Sequence, residues 1–153
     1  EHKTPEYAKV NPFQLVPALE DNGLKLTDVA ILRYLSNKFS DKVADHWYPS
    51  DIQKQAKVDE YMEWQHVNTR LAFFLIPLTT QTPPDEKKIA KFQGLMEEVL
   101  DKLERIWLKD SEFIAGDALS LADLLAICEL QQPSIVGYNI FENRPKLTAW
   151  FDK

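Results

Sequence analysis

Val16-Pro17, the pair Asn22-Gly23 and Thr27-Asp28 follow one another closely in the chain. Together they could hold an extended peptide by its main chain and by a charged end. Asn-Gly between two apolar runs is a hairpin signal, because both central turn residues need positive φ. Pro17 to Glu20 is therefore expected to pair with Leu24 to Leu26, with Thr27 capping the helix that follows. Pro17 forces Val16 to be extended, and a proline entering a strand is one of the few settings for a cis bond. Such a bond would turn the Val16 main chain outward, leaving its N–H and C=O open to an extended ligand. The nearby helix start, where Asp28 sits, carries the positive end of the helix dipole and attracts carboxylates.

Other residues of chemical interest have structural explanations. Ser120 and Asp123 have the spacing of a capping box, which accounts for both without catalysis. His46 and His66 have no Cys or acidic partners at metal-ligand spacing, so no metal site is expected. Cys128 has no neighbouring cation to lower its pKa and reads as a small buried apolar residue. His2 reads as a solvated histidine and Arg70 as an exposed helical arginine. The tryptophans read as packing residues.

The elements that must position these groups are mostly helical. A helix is predicted from Thr27 to Phe39, then a linker over 42–49 containing Trp47 and Tyr48. A long helix is predicted from Ser50, with Gln53 as capping-box partner, towards Leu71. Another starts at Thr82 with Pro83 at its first position. Its residues Ile89, Phe92, Met96, Val99, Leu103 and Ile106 fall three or four apart, the mark of one buried stripe. A central, nearly all-apolar helix starts at Ser120, with Leu119 stapled to Leu124. At 153 residues and 44% apolar content the chain can bury a full core. No run approaches the roughly 18 apolar residues of a membrane helix. A net charge of −6 argues against nucleic acid, which needs clustered Lys and Arg. One cysteine permits no internal disulfide, which fits a reducing cytosol.

Lys9-Val10-Asn11-Pro12, Leu15-Val16-Pro17-Ala18-Leu19 and Leu26-Thr27-Asp28 followed by Val29 to Leu35 then acquire a joint meaning. So do Trp47-Tyr48-Pro49, Val58-Asp59-Glu60-Tyr61 with Trp64-Gln65-His66, Leu119 to Leu124, and Arg144-Pro145-Lys146-Leu147. In this order, over almost the whole chain, they resemble the glutathione transferases, and the theta class most closely. The resemblance implies a mainly α fold with a small β remnant. An incomplete thioredoxin-like α/β half, residues 1–41, would bind glutathione, and an all-helical half, residues 50–153, would face the electrophile near Ala72 to Leu78. It implies conjugation of the glutathione thiolate to halides and epoxides in detoxification, in a cytoplasmic homodimer. Glutathione would be the substrate, and no metal, nucleic acid or membrane is implied.

The resemblance also assigns residues. Val16 would pair with the cysteinyl backbone of glutathione, preceded by Leu15, which contributes through its main chain, and followed by Pro17. Asp28 would hold the γ-glutamyl ammonium, His2 would lie near the glycine carboxylate, and Arg70 would reach towards the partner subunit's glutathione. The catalytic serine of this class has no counterpart in the chain and is expected upstream of Glu1. A lone hairpin is also marginal in water, so earlier strands are expected there as well.

Two departures stand out. The family carries a serine directly after the acidic residue, whereas Asp28 runs into Val29, and its helix between Arg70 and Pro77 is longer. The family order resumes unaltered after Asp28, so residues are expected to be missing there and again between Leu71 and Thr80, with neighbouring Cα atoms farther apart than about 3.8 Å. The alternative is a transferase-like domain that binds proteins without catalysing.

Overall fold

The computed structural model describes the backbone of all 153 residues and the side chains of all but residues 71–75. The chain divides into two units, Glu1–Tyr48 and Pro49–Lys153.

The first unit opens with a single helical turn, α1 (Pro5–Ala8), capped by Thr4, whose hydroxyl accepts from the Tyr7 N–H at 3.2 Å. Strands β1 (Ala18–Asp21) and β2 (Leu24–Thr27) pair antiparallel, with Leu19 opposite Leu26 and Glu20 opposite Lys25. Between them Asn22 and Gly23 take φ of 50° and 85°, the left-handed pair that a tight hairpin turn requires. The ladder begins at Ala18 rather than Pro17, which has no N–H to give it.

Thr27 does not cap the next helix. It pairs with Ala18, so α2 (Val29–Lys38) starts one residue later with Asp28 before it. Asp28 has φ 53° and ψ −146°, and its side chain makes no capping hydrogen bond. Its carbonyl accepts from the Ile31 N–H at 3.1 Å, tying it to the first turn of the helix. The Tyr34 hydroxyl donates to Asp21 at 2.6 Å and the Lys38 ammonium pairs with the same carboxylate, tying α2 to the hairpin. The Lys38 contact, foremost, holds the Asp21 carboxyl below its ordinary range.

The second unit is helical throughout. Helix α3 (Ile52–Trp64) is capped by Asp51, not Ser50. The Asp51 carboxylate accepts from the Gln53 and Lys54 N–H groups at 2.9 and 3.1 Å, and its charge also opposes the helix dipole, which a serine hydroxyl cannot do. Beyond Trp64 the helix tightens into two 3₁₀ turns, Gln65–Val67 and Thr69–Leu71, instead of continuing to Leu71. Helix α4 (Ala72–Thr80) follows without interruption and contains Pro77. Of the segment assigned to the electrophile, the side chains of 72–75 lie outside the described residues.

Helix α5 (Glu86–Lys102) starts after Asp85, whose carboxylate accepts from the Lys88 N–H at 3.1 Å. The start at Thr82 fails because Pro84 keeps Pro83 out of helical backbone. Met96, Val99, Leu100 and Leu103 are buried as one stripe, but Ile106 is 66% exposed. A π turn over Leu103–Trp107 ends the helix, and its wider winding rotates Ile106 off the stripe. The same turn brings Trp107 against Tyr61 and Trp64, with ring centroids 5.1 and 5.4 Å away.

Helix α6 (Leu121–Leu130) is central, packing against α3 and α4 with Leu121, Ala122, Ala126 and Leu130 buried. Cys128, expected inside, is exposed. It stands two residues, about 200° of helix, from both Ala126 and Leu130. Leu119 and Leu124 are partly exposed. Helix α7 (Pro145–Phe151) closes the unit, burying Leu147 and Trp150. Its first turn is capped from the π turn after α5, since Leu147 and Lys146 donate to Glu104 at 2.8 and 3.1 Å. The Arg144 guanidinium reaches Glu97 and, at 3.1 Å, Asp101.

Candidate functional site

The residues grouped by the sequence at the start of the hairpin lie in the first unit. The Val16–Pro17 bond is cis, as expected. Val16 is 62% exposed. Neither its N–H nor its C=O takes part in a hydrogen bond among the described residues. An extended ligand therefore finds an open donor and acceptor immediately before β1, the arrangement by which a peptide adds to a sheet edge.

Leu15 is exposed, and its carbonyl is already occupied. The Tyr7 hydroxyl and the Asn11 amide both donate to it at 2.7 Å, so of its main-chain groups only the N–H remains for a ligand. Asn11, 1% exposed, also accepts from the Phe13 N–H at 3.0 Å. The sequence motifs give no site role to either Tyr7 or Asn11. The available signal is Asn11-Pro12, a turn-initiating pair with a side chain suited to bonding nearby main chain. His2 is exposed and stands edge-on to Tyr7, with centroids 6.5 Å apart. Lys3 donates to the Gln14 carbonyl at 2.9 Å, placing a cation beside the same loop.

Asp28 stands at the N-terminus of α2 in left-handed backbone. A non-glycine residue there costs about 1 kcal/mol or more. Arg70 belongs to the second unit, in the 3₁₀ turn after α3, and one guanidinium nitrogen lies 3.4 Å from Nδ1 of His66. Burial holds the Glu129 carboxyl above its ordinary range, against the smaller opposing pull of Arg70 and His66. No group of three His, Cys, Asp or Glu among the described residues could hold a metal ion, and no helix among them is long and apolar enough to cross a membrane.

Ser120 and Asp123 form the capping box their spacing implied. The buried Asp123 carboxylate accepts from the Ile114 N–H at 2.8 Å, the Ser120 N–H and hydroxyl at 2.9 Å each, and the Trp150 indole at 2.8 Å. Every bond is internal, so this carboxylate organises the fold and is closed to substrate.

Residues 66–153 match the glutathione S-transferase C-terminal domain and residues 1–37 its N-terminal domain. Mouse glutathione S-transferase theta-1 is 41% identical over an alignment of 163 residues, covering the whole of this chain and 66% of the relative. Mouse theta-2 is 40% identical over 160 residues, again covering the whole chain and 65% of the relative. The chain thus spans just under two thirds of the length of these relatives. Among solved structures, human glutathione-S-transferase T1-1 in its apo form superposes with a TM-score of 0.87 at 38% identity, covering 99% of this chain and 66% of that one. A human theta-class transferase in complex with the glutathione conjugate of 1-menaphthyl sulfate gives the same TM-score at 41% identity, covering 97% and 63%. With an open main-chain edge before the hairpin, a helix N-terminus beside it and domain matches over both units, this chain belongs to the glutathione S-transferase family and is theta-like.

Proposed function

We propose that the protein carrying this chain adds the thiolate of glutathione to small electrophiles, halides and epoxides among them, in detoxification. The observation that carries this reading is the exposed and unpartnered main chain of Val16, set just before a strand and close in sequence to the start of α2. Residues 1–41 serve as the C-terminal part of a thioredoxin-like glutathione-binding domain, 42–49 as linker, and 50–153 as the helical domain facing the electrophile.

Val16 pairs with the cysteinyl backbone, flanked by Leu15 and Pro17. The Asp28 carboxylate and the first turn of α2 receive the γ-glutamyl end, and His2 lies near the glycine carboxylate. Arg70 acts towards the partner subunit's glutathione in a cytoplasmic homodimer. A free thiol has a pKa of about 8.5, so the protein must favour the anion. In theta-like transferases a serine hydroxyl does so by hydrogen bonding to sulfur.

Retention on immobilised glutathione, with turnover of a reactive halide, tests the reading in the native full-length protein. Binding together with turnover supports it. Neither binding nor turnover overturns it in favour of a non-catalytic interaction module, a reading that the direct run of Asp28 into Val29 would then explain.

A further inference from the structure

The Leu15–Val16 peptide is held from one side only. A trans peptide unit is planar, with its C=O and N–H pointing in opposite directions, and this unit is not among the cis bonds of the chain. Fixing the Leu15 carbonyl therefore also aims the Val16 N–H, half of the open edge described above. Two donors from separate elements fix that carbonyl, the Tyr7 hydroxyl from α1 and the Asn11 amide from the turn after it, each at 2.7 Å. Asn11 cannot swing away, because it is buried and its own oxygen holds the Phe13 N–H. Tyr7 is anchored by the first-turn bond of its N–H to the Thr4 hydroxyl.

We propose that Tyr7 and Asn11 form a two-pronged clamp on the Leu15 carbonyl that pre-orients the Val16 N–H for the cysteinyl backbone of glutathione, with both acting as positioning residues. The inference rests on the glutathione-binding reading and deepens it. Neither residue touches the ligand; each holds the peptide plane that does. A pre-oriented donor binds more tightly because the ordering cost is met before the ligand arrives. In its absence the plane can rotate, and each encounter must select the competent orientation. A ligand-bound peptide plane is restored once glutathione saturates the site, so the clamp acts on affinity and leaves the chemical step alone.

Tyr7→Phe removes one prong and keeps the ring. In the native full-length protein it is expected to raise the dissociation constant and KM for glutathione about fivefold, the worth of one net hydrogen bond. The value of kcat at saturating glutathione and the melting temperature should stay as in the parent. Asn11→Asp keeps the acceptor for Phe13 but sets an oxygen against the Leu15 carbonyl, and should raise KM further. The ¹³C shift of the Leu15 carbonyl should move in Tyr7→Phe before any glutathione is added, reporting the lost bond directly. An unchanged KM in Tyr7→Phe despite that shift overturns the clamp while leaving the glutathione reading intact. A fall in melting temperature together with kcat makes the role structural and also overturns it. Should the parent itself not bind glutathione, the functional reading fails, and the clamp with it.

Discussion

The indole N–H of Trp150 donates to the Asp123 carboxylate across 2.8 Å, joining α7 to the first turn of α6 through the core. Three further donors converge on the same buried carboxylate. Asp123→Ala strands all four, and a buried charged hydrogen bond is worth about 1.5–3 kcal/mol. A loss of about 3–5 kcal/mol is expected, with Trp150→Phe costing about 1–3 kcal/mol. Urea unfolding at neutral pH measures both. Equal and small shifts in the two midpoints would contradict the shared network.

The start of α3 gives a sharper test, because two adjacent residues compete for one cap. Asp51→Ala should cost about 1 kcal/mol, the usual worth of an N-cap, whereas Ser50→Ala should change little. The reverse ranking in thermal melts would return the cap to Ser50.

For ligand binding, Asp28→Asn should weaken glutathione by about 1–3 kcal/mol, the scale of a charge-assisted hydrogen bond. Calorimetric titration of the full-length protein decides this. An affinity equal to the parent's would leave Asp28 as a helix-terminus charge only. The companion expectation for Arg70 requires two subunits, so a monomer in sedimentation would remove its role towards the partner.

Acid should loosen the link between α5 and α7. The Tyr138 hydroxyl, foremost, and the Arg144 guanidinium hold the Glu97 carboxyl below its ordinary value of 4.5. A depressed carboxyl contributes stability that is complete above the unfolded value and is lost as pH falls through the folded one. Stability should therefore decline below about pH 4.5, and Glu97→Gln should flatten that decline. Tyr138→Phe should let the Glu97 titration rise, followed by the side-chain carboxyl ¹³C signal. A titration that does not move would exclude Tyr138 as the main cause.

Local chemistry made much of this structure readable in advance. The Asn22-Gly23 turn, the box of Ser120 and Asp123 and the stripe through Met96 and Val99 each follow from backbone geometry within a few residues. What escaped depended on competition between neighbours or on distant groups. Thr27 lost its capping role because the ladder reached it first, and Pro84 moved the start of α5 by constraining Pro83. Ile106 left the core because a π turn changed the winding, which a fixed helical period cannot anticipate. At the candidate site, the cis bond after Val16 was legible from its proline. The clamp from Tyr7 and Asn11 was not, because it converges on a carbonyl and main-chain acceptors carry no sequence identity.

The packing of Tyr61, Trp64 and Trp107 gives the second unit an optical signature. Indoles with centroids 5.4 Å apart and inclined by 56° are close enough to couple their transitions, and such a pair gives paired bands of opposite sign in circular dichroism. Trp64 closes α3 while Trp107 closes the π turn after α5, so the couplet exists only while those two ends are docked. Its loss would time their separation on a stopped-flow instrument without any attached label, and Trp107→Phe would abolish the couplet while leaving backbone bands in place.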